Sequence, residues 1–209
     1  GIDIDKFKIT PSMKKNIQTI KNKYKIKDTD FIIGSVGRIA PEKSFDKLLY
    51  NIKDMIKVNT NIKVLLVGGG PDLDNLKELT KKLNLENYVI FTNKIDYDLV
   101  PTYFNIFNVV VSFSKTETQG LTIIEGLAAS KPTLCIEDDS FRAMIEPNYN
   151  GYLFKNDTEF KNYIFKLMND QKLYKDMSTN ARNSTYKYSK EVFAADILKV
   201  YHKAIENKH

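Results

Sequence analysis

Short apolar runs alternate along this chain with stretches in which apolar residues recur every third or fourth position. Residues 31–36, 62–67, 88–91, 109–113, 133–136 and 152–154 have the length and density of strands. Between them, Phe45, Leu48, Leu49, Ile52 and Ile56 fall on one helical stripe, and Leu73, Leu76, Leu79 and Leu83 on another. Residues 99–104 and 121–129 read as shorter helices, and Met13, Ile17, Ile20 and Tyr24 mark an amphipathic helix over 11–25. Three helices, over 157–169, 171–186 and 190–207, are predicted to close the chain; the last has an apolar stripe of Val192, Phe193, Ile197, Val200, Tyr201 and Ile205. Strand followed by helix, five times or more, predicts an α/β fold: a Rossmann-like, doubly wound parallel sheet with helices on both faces. Ligands of such sheets bind beyond the carboxyl ends of the strands. The loops to inspect are therefore GRIAPEKS, GGGPD, TNKID, SKTETQG and EDDSF.

Composition narrows the picture. A chain of 209 residues, 42% hydrophobic and 28% charged, suits one globular domain with a full core. No apolar run approaches the ~18–20 residues of a membrane span, and the opening GIDIDKFKIT has no apolar leader; with a single cysteine, a cytoplasmic protein fits. Cys135 is the single cysteine and cannot form an internal disulfide; in PTLCI it reads as a core residue. His202 and His209 are the only histidines, which argues against a histidine metal site or catalytic triad. The net charge of +6 comes mainly from lysines scattered along the chain, with arginine only at Arg38, Arg142 and Arg182. That scatter is unlike a nucleic-acid groove. It is compatible with anionic substrates or an anionic membrane surface.

Three segments carry chemistry. In Gly37-Arg38-Ile39-Ala40-Pro41-Glu42-Lys43, two cations stand five positions apart across a loop stiffened by proline, between a strand and a helix. An arginine fork and a lysine point charge can converge there on one anion. In Glu117-Thr118-Gln119-Gly120-Leu121-Thr122-Ile123-Ile124-Glu125, two acids stand eight apart around a strand-to-helix turn. Gly120 admits close approach of a ligand, and the N–H groups of Leu121 and Thr122 would face an anion. Glu125 follows about 7.5 Å along the helix at ~1.5 Å per residue, a span suited to a ribose beside a diphosphate. A carboxylate in the apolar helix IIEGLAA requires a partner or a ligand. Gly68-Gly69-Gly70-Pro71-Asp72 is neither a dinucleotide fingerprint nor a phosphate-binding P-loop, and reads equally as a tight turn or a ligand contact.

Taken together and in order, GRIAPEK, GGGP and ETQGLTIIEGLAASKP resemble the C-terminal domain of retaining GT-B glycosyltransferases with the E-x7-E motif, the group 1 glycosyl transferases. The likeness runs from GIDIDKF, similar to the family's interdomain segment, almost to the chain's end. It implies an interdomain segment and first helix over 1–29, a Rossmann-like core over 30–155 and terminal helices over 156–209. It also implies that Arg38 and Lys43 bind the donor diphosphate, Glu117 acts at the donor sugar, and Glu125 holds the ribose. The backbone of Gly120, Leu121 and Thr122 would face phosphate or sugar, and the backbone near Lys94 the base. No metal or cofactor is implied. The donor would be a UDP-sugar and the product a retained glycoside. The acceptor, a lipid or glycan, would be held by an N-terminal domain absent from these 209 residues. Without that half the chain is expected to transfer no sugar. SKTETQGLT and DDSFR look like the bacterial branch that glucosylates diacylglycerol, which places the reaction at the cytoplasmic membrane face. Ser44 and Ser130 stand where the family commonly has glycine, Gln119 where it often has phenylalanine, and Asp138–Phe141 in place of a glycine-rich loop. Other readings are a non-catalytic nucleotide-sugar-binding module, a UDP-GlcNAc 2-epimerase-like enzyme, and transfer to polysaccharide or protein.

Overall fold

The computed structural model describes residues 1–114, 120–192, 194–195 and 197–199. Its strands are β1 (Phe31–Val36), β2 (Ile62–Val67), β3 (Val89–Phe91), β4 (Val109–Ser112), β5 (Thr133–Ile136) and β6 (Gly151–Phe154). They pair in parallel in the order β3-β2-β1-β4-β5-β6. The chain builds outward from β1 in one direction, then crosses back to lay β4 on β1's other side, with Ile33 opposite Val109. The strand order reverses at that seam, where the loops after β1 and β4 part and leave a crevice.

Eight α-helices are described: α1 (Pro11–Lys23), α2 (Phe45–Met55), α3 (Leu73–Lys82), α4 (Val100–Ile106), α5 (Leu121–Ala128), α6 (Asp139–Arg142), α7 (Asp157–Asn169) and α8 (Gln171–Asn183). Side chains alternate along each strand, so one sheet feeds two cores. Ile33, Val64, Leu66, Val109, Val111 and Leu134 pack with α2, α3 and α7. Ile32, Leu65, Val67, Val110 and Cys135 pack with α1, α4 and α5. Cys135 is fully buried, the core residue its sequence context predicts.

Local chemistry sets the breaks. Asn156 caps α7 by accepting from the Glu159 N–H (2.9 Å), and Asp170 ends α7 and caps α8 through the Leu173 N–H (2.9 Å). The helix predicted over 171–186 stops at Asn183. Thr185 turns its hydroxyl back onto the Arg182 carbonyl (2.6 Å), and a 3-10 turn follows over Tyr186–Tyr188. The loop EDDSF contains one helical turn, α6, because Asp138 accepts from the Ser140 N–H (3.0 Å) and Phe141 is buried. Residues 190–192, 194–195 and 197–199 are helical, and Val192 and Ile197 of the predicted apolar stripe are exposed. Phe193, Val200, Tyr201 and Ile205, with His202 and His209, lie outside the described residues.

The first residues are tied into the domain. A 3-10 turn over Ile4–Phe7 buries both end side chains. Ile2 donates to the Tyr188 carbonyl (2.9 Å) and accepts from the Lys190 N–H (3.0 Å). Arg182 donates to the carbonyls of Ala128 (2.6 Å) and Ile4 (3.3 Å), joining α8, the end of α5 and the entering segment.

Ser44 and Ser130 both have left-handed backbones, at φ 51° and 61°. Ser44 joins the 3-10 turn Pro41–Lys43 to α2, and its side chain makes no cap bond. Ser130 closes α5, with the Lys131 N–H reaching the Gly126 carbonyl (3.0 Å). Left-handed backbone costs a non-glycine residue ~1–2 kcal/mol, partly offset by glycine's larger entropy loss on folding. Ser44→Gly and Ser130→Gly should each therefore stabilise the fold by about 0.5 kcal/mol. An upward shift in urea midpoint at unchanged slope is the expected readout; a downward shift for both would contradict it.

Candidate functional site

Two cavities open beside α5 at the carboxyl end of the sheet. The first, about 170 Å³, occupies the crevice between β1 and β4 and is walled by Gly37, Arg38, Lys43, Ser112 and Thr122 among others. The second, about 410 Å³, is walled by Asp3 and Phe7 of the entering segment, Tyr97, Asp98 and Pro101 around the start of α4, and Leu121 and Glu125 of α5. Helical periodicity explains the division. Leu121 and Glu125 are four apart and share one face, while Thr122 and Ile123 point the other way, into the first cavity.

The cation loop is placed by backbone contacts. Gly37 donates to the Val67 carbonyl (2.9 Å), Ile39 to the Gly69 carbonyl (3.0 Å), and Asp72 to the Ile39 carbonyl (3.2 Å). A Cβ on Gly68 would lie 2.0 Å from the Gly37 carbonyl oxygen, and one on Gly70 2.0 Å from that of Ile39. The GGGP run thus serves the close packing of two loops. Buried Ile39 and Ala40 anchor the loop's centre, and the turn over Pro41–Lys43 brings Lys43 round to Arg38's cavity. Of the three arginines, Arg142 pairs with Glu137 (2.8 Å) and Asp139 (3.1 Å), and Arg182 is held as described. Arg38 is exposed and makes no ion pair among the described residues.

Helix α5 starts on Gly120, at φ 58°. A side chain there would be strained and would meet the Met144 sulfur at 2.4 Å. The Gly120 carbonyl accepts from Ile123 and Ile124 (3.0 Å each), while the N–H groups of Leu121 and Thr122 find no acceptor among the described residues. Those open donors add the positive end of the helix dipole to the charges of Arg38 and Lys43. Glu125 stands one turn further on, with no donor reaching its carboxylate among the described residues. Burial alone pushes its pKa up to about 7. The first cavity is therefore cationic. The second is lined by Asp3, Asp98 and Glu125 against one lysine, Lys6, with Asp3 already paired to Lys190 (2.9 Å).

The structure thus gathers Arg38, Lys43 and Thr122 at one cavity and Leu121 and Glu125 at the other, with Gly120 at the turn between. Lys94 stands on the loop after β3, its side chain against Gly69. Glu117 lies outside the described residues. Among those residues no group of three or more His, Cys, Asp or Glu is placed to hold a metal ion. Of the second cavity's wall, Leu121 and Glu125 belong to a motif, whereas Asp3, Phe7, Tyr97, Asp98 and Pro101 do not. Their one visible signal was Tyr97, an aromatic residue between two acids in a loop after a strand.

A model of the family described as glycosyl transferases group 1 matches residues 16–184. The chain is 31% identical over 201 residues to an alpha-monoglucosyldiacylglycerol synthase of Acholeplasma laidlawii, covering 96% of this chain and 50% of that protein. To the alpha-monoglucosyldiacylglycerol synthase of Streptococcus pneumoniae it is 28% identical over 168 residues, covering 80% of this chain and 38% of that one. The chain spans half or less of the length of these relatives. The crystal structure of Anabaena Alr3699/HepE in complex with UDP superposes with a TM-score of 0.86 at 21% identity, covering 97% of this chain and 56% of that one. At that identity the likeness speaks for the fold.

Glu125 also makes stability depend on pH. Its folded pKa, about 7, lies above the ordinary 4.5, so its proton-linked stability is complete below 4.5 and is lost as pH rises through 7. Glu125→Gln removes the buried charge. In urea denaturation the variant's advantage over the parent should be larger at pH 8.5 than at pH 5.5; an unchanged difference would refute the desolvated carboxylate.

Proposed function

The chain belongs to the glycosyl transferases group 1 family, and from that premise we propose that it is the donor-binding half of an enzyme that moves glucose from UDP-glucose to a hydroxyl of diacylglycerol or a glycolipid, with retention. The observation that carries this reading is the division of charge across α5. Two cations and Thr122, in the first turn of α5, line one cavity, and a carboxylate one turn away lines the other. A nucleoside diphosphate has the same division, with anionic oxygens at one end and ribose hydroxyl donors at the other.

In this reading Arg38, Lys43 and the α5 N-terminus hold the diphosphate and stabilise the charge that builds on it as the bond to the sugar's anomeric carbon breaks. Glu125 accepts from the ribose hydroxyls, and Glu117 acts at the sugar. The acceptor oxygen forms the new bond on the face the diphosphate leaves, and its proton passes to the departing diphosphate oxygen. Arg38, Lys43 and the helix end supply the countercharge without a metal ion. The lipid acceptor is inferred from the two glycolipid-synthesising relatives and belongs to the part of the protein beyond this half. A lipid acceptor places the proposed reaction at the cytoplasmic face of a membrane; among the described residues no helix is long and apolar enough to cross one.

Binding tests this directly. Calorimetry should show UDP binding to the chain in the presence of EDTA. Arg38→Ala should weaken UDP by about 1.5–3 kcal/mol, the value of a charge-assisted bond, and leave uridine nearly unchanged. Glu125→Ala should weaken both. Absence of UDP binding by the folded parent overturns the reading; uridine binding untouched by Glu125→Ala overturns the ribose assignment.

A further inference from the structure

Tyr97 is 74% exposed, although aromatic side chains gain much from burial. It belongs to the 3-10 turn Tyr97–Leu99, whose carbonyl at Tyr97 accepts from the first residue of α4, so its backbone is held. Its side chain lies on the wall of the larger cavity, with Leu121, Pro101 and Glu125. Phe7 is the other aromatic residue on that wall. It is buried, with its ring edge-to-face against Phe104 at 5.8 Å, so its ring is already engaged by the core. Glu125 gives this cavity an acceptor for hydroxyl donors, and the cations of the neighbouring cavity draw the phosphates to the far side of α5. What remains for the volume beyond the ribose is a flat, uncharged ring.

We propose that Tyr97 is the platform on which the donor's nucleobase stacks. The inference rests on the nucleotide-binding reading above and deepens it. The base's face covers Tyr97, the apolar edges of Leu121 and Pro101 flank it, and the ribose then reaches Glu125. Stacking supplies affinity for any base, since every base has such a face. Tyr97 is thus a positioning residue: it sets how deeply the nucleoside sits, and so where the diphosphate meets Arg38.

Ligand-observed NMR of the whole chain with UDP, uridine and inorganic pyrophosphate tests it. Tyr97→Ala should weaken UDP and uridine by the same factor, about five- to hundredfold, the range of one base–aromatic stack. Pyrophosphate binding and the urea midpoint should not move, and Tyr97→Phe should stay within about twofold of the parent. The chain has 12 tyrosines and no tryptophan, so its intrinsic fluorescence is tyrosine emission. Saturating uridine should quench the parent more than it quenches Tyr97→Phe. Uridine binding within twofold of the parent in Tyr97→Ala would overturn the proposal while leaving the nucleotide-binding reading intact. Equal quenching in parent and Tyr97→Phe, or parallel loss of pyrophosphate and uridine in Tyr97→Ala, would also overturn it. Failure of the parent to bind UDP at all would remove the reading on which it rests.

Discussion

A helix that starts on a left-handed glycine at the seam of a parallel sheet leaves its first N–H groups without partners among the described residues, and the candidate site is built around that end. Gly120 turns the chain sharply enough for α5 to begin beside the crevice between β1 and β4. With no side chain to cap the turn, the donors of Leu121 and Thr122 find no acceptor among the described residues. An anion placed there is bonded and also meets the helix dipole. The other end of α5 is closed, since Arg182 donates to the Ala128 carbonyl and Ser130 reverses the chain. The helix is thus satisfied where it meets the rest of the domain and unsatisfied where a ligand would stand.

The charges that complete this end are held by main chain. Loops after β1 and β2 are hydrogen-bonded to each other and pack closely enough that neither Gly68 nor Gly70 has room for a side chain. Arg38 and Lys43 project from a loop whose middle, Ile39 and Ala40, is buried. A loop whose backbone is already held loses little freedom when an anion arrives, which favours binding through preorganisation. Arg142 is taken up by the carboxylates of Glu137 and Asp139, and Arg182 by two carbonyls and Asp5.

Residues 1–7 link the site to the rest of the architecture. They wall the larger cavity, they are bonded to Tyr188 and Lys190, and Arg182 ties them to the end of α5. The segment that enters the domain and the one that leaves α8 therefore form one unit against the helix bearing Glu125. That glutamate breaks the apolar pattern of its helix, is desolvated, and has no bonding partner among the described residues. A local rule broken at a cavity wall, in an otherwise consistent helix, is where a functional or strained position is expected.

The layered sheet, the order of its elements and the two main motifs were legible in the sequence, because hydrophobic period and turn residues act locally. Arg38, Lys43, Gly120 and Glu125 stood out for the same reason: each is chemically unusual for its element. The left-handed backbone at Ser44 and Ser130 could be anticipated from the family's glycines there but not from serine itself. The sequence left the role of GGGP open between turn and ligand contact, and the close packing of two loops decided it. Tyr97, Asp3 and Phe7 look ordinary in sequence, and they share a cavity because α4, α5 and the entering segment converge. What the sequence by itself determined is whatever rests on neighbours along the chain: period, caps and charge within a loop. What only the tertiary structure decided is which loops face each other and which polar groups are left unpaired, since both depend on contacts between residues far apart in sequence.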